Sequence, residues 1–129
     1  MVLLMKKQTT NNICPCGSGL SFDACCQPYI SGITPAPTAE ALMRSRFSAY
    51  CIGSIKYLLS SWHPSTRPKT LDLESDKTKW IHLKVINSRD NTVEFIATYR
   101  LQGKAHKLHE ISRFIFEDAN WFYVDGDNQ

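Results

Sequence analysis

Nowhere does the 129-residue chain hold an apolar run near the ~20 residues of a membrane-spanning helix, which excludes a helical span. It has no glycine-rich phosphate loop, no internal repeat and no low-complexity tract, which removes nucleotide-binding loops, solenoids and disordered linkers from consideration. Net charge is small, +3, and four thiolates holding one divalent ion would lower it by two, to about +1. No nucleic-acid footprint is expected. The charge is uneven: residues 1–70 carry seven Lys or Arg against two acids, and residues 71–129 carry eight against ten. Solvated surface charge accounts for this imbalance, with an acidic partner as the other reading. The opening MVLLMKK places four apolar residues, Val2 to Met5, before its lysines, too short and in the wrong order for a secretory signal. A cytoplasmic location is therefore expected. The chain also lacks a nucleophile and base in any recognisable local motif, so no catalytic residue is assigned.

What the chain does contain is cysteine in one place: CPCGSGLSFDACC, from Cys14 to Cys26, packs four of the five cysteines into thirteen residues. Cys14 and Cys16 can grip one ion from a tight loop that Gly17 and Gly19 allow, and LSFDA has the length of one or two helical turns. That turn returns Cys25 and Cys26 to the same centre. Four thiolates suit zinc or iron, and zinc, which needs no redox partner, is the common structural choice. One structural zinc is expected. Disulfides, an iron or redox centre, and free thiols remain the alternatives, although adjacent Cys25 and Cys26 suit convergence better than pairing. Cys51 reads as a small buried side chain rather than a fifth ligand.

Residues 1–12 form a polar lead that is expected to be loosely ordered. PYISGITPAPT, with three prolines and a glycine, predicts a connector without regular helix or strand. Thr38 can cap a helix whose apolar face holds Ala39, Leu42, Met43, Arg46, Phe47 and Tyr50 and which Gly53 ends; a second runs from Ser54 to about Trp62. The period then changes from helical to alternating. Strands are predicted over Trp80 to Asn87, with Ile81, Leu83 and Val85 on one face, and over Thr92 to Leu101, with Val93, Phe95, Ala97 and Tyr99. Two more follow, over Ala105 to Phe116, with Leu108, Glu110, Ser112, Phe114 and Phe116 aligned, and over Trp121 to Asp125. The class is α+β: a curved antiparallel sheet packed by helices, beside a small N-terminal zinc knuckle.

CPCGSG, five residues, then CC resembles the SEC-C motif, the zinc knuckle of the preprotein translocase ATPase, where it docks proteins; Cys26 stands where some relatives have histidine. PYISG, ALMRSRFSAY, SWHPSTRP, HEISRF and WFYVDG resemble the YchJ-like family, also called UPF0225, across nearly the whole chain. The resemblance implies a knuckle over residues 1–30. Over residues 31–129 it implies a ketosteroid-isomerase-like cone, the α+β fold also seen in nuclear transport factor and cystatin-like proteins. It brings no settled biochemical activity with it.

Two charges fall among apolar neighbours, Arg46 on the helix face and Glu110 on a strand face. An unpaired buried charge costs several kcal/mol, so the two are expected to pair with each other. His63 and Arg67, in SWHPSTRP, are candidates for the mouth of the cone, and Tyr99 joins Arg46 and Glu110 as a candidate pocket residue. Trp80, Trp121 and Tyr123 read as core aromatics that an open cone could also use to line a cavity. His82, His106 and His109 sit where alternation turns them to solvent and receive no role. Two functions follow. The favoured one is a zinc-binding accessory protein whose knuckle docks a protein partner, with Cys14, Cys16, Cys25 and Cys26 as ligands. The alternative is a small-ligand binder or acid/base enzyme that uses the pocket around Glu110.

Overall fold

The computed structural model describes residues 12–129, so the lead, apart from Asn12, lies outside the described residues. A 3-10 turn, Phe22–Ala24, sits inside the cysteine-rich stretch, and helix α1 follows at Gln27–Ile30. That short helix corrects the expectation of a connector without regular structure. Pro28 lies in its first turn, where a missing N–H costs nothing, so the proline starts the helix instead of blocking it.

Helix α2, Ala39–Ile52, forms as its caps dictate. The Thr38 side chain accepts a hydrogen bond from the Ala41 N–H at 3.0 Å, Glu40 lies in the first turn, and Gly53 terminates the helix at φ +80°. Its buried residues are Ala39, Leu42, Ser45, Arg46, Phe47, Ser48 and Ala49, wider than one apolar stripe. Two partners explain the width: Phe47 packs against Leu83, Phe95 and Ala97 of the sheet, and Ser48 faces the cysteine cluster. Of the polar members, Ser45 is satisfied, its hydroxyl lying 2.7 Å from that of Tyr57. Helix α3, Ile55–Ser60, is shorter than predicted and seals the core with Leu58, which has no exposed surface; such a side chain contributes about 1.5–3 kcal/mol.

Strands β1 (Lys79–Arg89), β2 (Thr92–Leu101), β3 (Lys104–Glu117) and β4 (Asn120–Asn128) form an antiparallel meander in the order β1-β2-β3-β4. The turn residues Gln102–Gly103 and Asp118–Ala119 all have positive φ, the two-residue geometry that matches strand twist. Val93, Phe95 and Ala97 are buried as alternation predicts. On β1 the alternation breaks. The register steps between Trp80 and His82 and again between Val85 and Asn87, so Ile81 and Ile86 are the extra residues of bulges and lie exposed. Trp80, not Ile81, therefore shares the inner face with Leu83 and packs edge-on against Phe47 at 6.2 Å. On β3 the expected face runs from Leu108 to Phe114, but Phe116 lies outside it, 58% exposed and against Trp121. The three steps of register bend the sheet around α2.

Candidate metal centre and interior cavity

The cysteine stretch folds as a miniature hairpin: Ile13 bridges Ser21, the Cys14 N–H donates to the Leu20 carbonyl, and Gly17 turns the chain at φ +84°. A Cβ at Gly17 would also stand 3.0 Å from the Leu83 carbonyl oxygen, so glycine lets the loop lie on the backbone of β1. The 3-10 turn then brings Cys25 and Cys26 back, and all four sulfurs lie within 4.8 Å of one another. None is in a disulfide. A tetrahedral ion with metal–sulfur bonds of about 2.3 Å holds its sulfurs about 3.8 Å apart. Cys16 and Cys25 are separated by 3.6 Å, and Cys25 and Cys26 by 3.9 Å. The four cysteines could therefore hold a metal ion.

The electrostatics agree. Contact with the Cys14 thiol, then with Cys26, draws Cys16 far below the ordinary thiol range. The reciprocal contacts drive Cys26 far above it, and burial pushes Cys25 up to about 11. Sulfurs this close become thiolates together only around a cation. The site is also tied to the main domain: the Cys14 sulfur lies 3.4 Å from the Ser48 hydroxyl, and Arg44 donates from Nη1 to the Cys16 carbonyl at 2.8 Å while pairing with Glu40 at 3.0 Å. Burial alone would lower the Arg44 pKa, but Glu40 and Cys16 together raise it, so a firm positive charge stands beside the cysteine sulfurs. Cys51 is apart, with its sulfur 3.7 Å from the Trp80 carbonyl, and burial pushes its thiol up to about 11.

A second feature lies between α2 and the concave face of the sheet, a cavity of about 150 Å³. Arg46 and Glu110 both line it, but they form no ion pair. The expected pairing is corrected by what each holds instead. Arg46 is 3% exposed and donates from Nη1 to the Leu58 carbonyl and the Ser61 hydroxyl, both at 2.7 Å, with its guanidinium carbon 5.0 Å from the Trp62 ring centre and 4.7 Å from that of Tyr123. Glu110 accepts from the Ser112 hydroxyl at 2.7 Å and lies over Gly126, where any Cβ would collide with its carboxylate.

The other three candidate pocket residues are not among those lining the cavity. Backbone hydrogen bonds join Ser61 and His63 to Tyr123, and Trp62 forms a parallel bridge with it. In that extended segment neighbouring side chains diverge, so Trp62 turns to the cavity while His63 turns to Ser65, at 2.7 Å, and Glu117, at 3.1 Å. Arg67 is exposed, with Nε donating to the Trp62 carbonyl at 2.8 Å. Tyr99 is held between Trp80, 5.1 Å away, and a stacked His106, and Trp80 supplies the wall in its place. His82 and His106 are exposed, and His109 pairs with Glu94 at 2.7 Å. Trp62 was not expected at the cavity, and neither was the role of Gly126. A lone glycine inside a strand pattern is the available signal for the second.

A SEC-C knuckle seated on an NTF2-like α+β domain is the class this architecture defines. The family model for the SEC-C motif matches residues 11–28, and that for the YchJ middle NTF2-like domain matches residues 38–126. The chain belongs to the YchJ-like, UPF0225 family. A UPF0225 protein of Chromobacterium violaceum is 47% identical over 133 residues, covering 95% of this chain and 98% of its own. One from Deinococcus radiodurans is 45% identical, covering 87% and 86%. The solution structure of a SEC-C motif containing protein from Rhodopseudomonas palustris superposes with a TM-score of 0.79 at 31% identity, covering 88% of this chain and 96% of that one. A crystal structure of another, from Psychrobacter arcticus, gives 0.73 at 26% identity, covering 92% and 83%.

Proposed function

We propose that this protein is a zinc-binding accessory protein: Cys14, Cys16, Cys25 and Cys26 hold one structural zinc, and the knuckle so formed docks on a protein partner. The convergence of four cysteine sulfurs within 4.8 Å carries the reading. Zinc supplies rigidity to a loop too small to have a core of its own. Four thiolates complete a tetrahedron and leave no open position at which water could be activated, so the metal performs no chemistry. The rigid loop presents Ile13, 61% exposed, and Leu20, 55% exposed, and beside it runs a groove bordered by Ser18, Ala24, Glu40 and Arg44. Exposed aliphatic side chains with a charged rim suit a protein surface better than a small substrate. The thiolates need a reducing compartment, so a cytoplasmic location is part of the proposal.

The test combines metal analysis with affinity capture. Reduced protein should carry about one equivalent of zinc, and the Cys25→Ser, Cys26→Ser variant should lose it. A partner captured by the intact protein should be lost both from that variant and from Leu20→Asp, which leaves the metal in place. Less than half an equivalent of zinc, or capture indifferent to both variants, would overturn the reading.

A further inference from the structure

The cavity under α2 holds a positive charge that no carboxylate among the described residues touches. Arg46 presents five N–H donors, and the two on Nη1 suffice for Leu58 and Ser61. Beyond these, the guanidinium meets the Tyr50 hydroxyl, itself part of the cavity wall, and Arg46 lines the cavity with donors to spare. No carboxylate lies within 4.0 Å of the guanidinium. Burial disfavours its charge, and nearby tyrosines offset this only in part. Arginine does not escape by losing its proton, and Glu110 in the same wall is held by Ser112, so the anion of a guest can meet the charge directly.

The rest of the wall describes what that anion is attached to. Phe47, Trp80, Phe95 and Leu108 give the cavity an apolar body. Its volume, about 150 Å³, is that of an apolar cavity that takes a benzene-sized guest. Trp62 lines it too, and the Trp62 indole Nε1 is the one buried side-chain polar atom without a partner among the described residues. Glu110 is kept from moving to Arg46 by Ser112 and by its seat over Gly126, and it remains an acceptor for a hydroxyl on the guest.

We propose that this cavity binds a small aromatic monocarboxylate, its carboxylate on the free edge of Arg46, its ring among Phe47, Trp80 and Phe95, and a ring hydroxyl, where present, donated to Glu110. The site is separate from the knuckle and does not depend on the docking role.

The experiment titrates the ¹⁵N-labelled, metal-loaded full chain with benzoate, 4-hydroxybenzoate and neutral benzamide at neutral pH. The indole N–H signals of Trp62 and Trp80 should move, while that of Trp121, whose Nε1 faces the Pro37 carbonyl, stays still. Benzoate should bind about ten-fold or more tightly than benzamide, the margin of one charge-assisted contact. Arg46→Met should erase that margin, and Leu108→Trp, which fills the cavity, should abolish binding at unchanged zinc content. If Arg46→Met does not fold, the benzoate-to-benzamide ratio and Leu108→Trp decide alone. Equal binding of the two probes, no movement of the Trp62 and Trp80 signals at millimolar probe, or unchanged binding by Leu108→Trp would each overturn the proposal.

Discussion

Glu110 shows how a charge can sit inside a domain without an ion pair. Its carboxylate is half-buried, fixed by the Ser112 hydroxyl and seated over a glycine. Because Arg46 does not lean on it, Glu110→Gln should change stability by no more than about 1 kcal/mol, the amide oxygen taking over the Ser112 hydrogen bond. Denaturant titration checks this, and a loss of several kcal/mol would restore the pairing. Gly126→Ala should cost more, about 1–3 kcal/mol, since a methyl group must displace the carboxylate. Combining it with Glu110→Ala should recover most of that loss. At the candidate metal centre, Gly17→Ala should lower metal retention under competition with a chelator, because φ +84° and the Leu83 carbonyl both resist a side chain.

At the level of elements, the hairpin between β3 and β4 carries a residue at odds with its backbone. Ala119 adopts φ +65° in the turn, a conformation that costs an L-residue about 1–2 kcal/mol. Ala119→Gly should stabilise the protein by roughly 0.5–1 kcal/mol after the entropy of glycine is set against the relief, measured as a shift of the denaturation midpoint at unchanged slope. Helix α2 is the other decisive element. Its Ser48 and Arg44 hold the knuckle while Phe47 and Arg46 face the sheet, so one helix serves both sites.

Among the described residues, the molecule divides between a cysteine loop that could hold a metal ion and an apolar core. Chelation should raise hydrogen exchange in residues 13–26 and along the Arg44 and Ser48 side of α2, and leave β2 and β3 protected, because Val93, Phe95, Ala97 and Phe114 bury themselves without the metal. Each ligand must shed a proton to bind, so lowering the pH should release the metal and raising it should restore the loop. Collapse of the sheet along with the knuckle would show that the two are one cooperative unit.

The sequence alone determined the four-cysteine cluster, the capped helix over residues 39–52, and the alternation of β2, since spacing, caps and period are local properties of a chain. It also determined that Arg46 and Glu110 share an interior. Tertiary structure decided the rest. Bulges in β1 exchanged Ile81 for Trp80 on the inner face, and a backbone bridge from Trp62 to Tyr123 turned Trp62 inward and His63 outward. The packing of Arg46 between two aromatic rings left it no carboxylate. Each of these depends on a contact between residues far apart in the chain. A single inserted residue or added bridge reverses which side chains face inward, and no periodicity records where it falls.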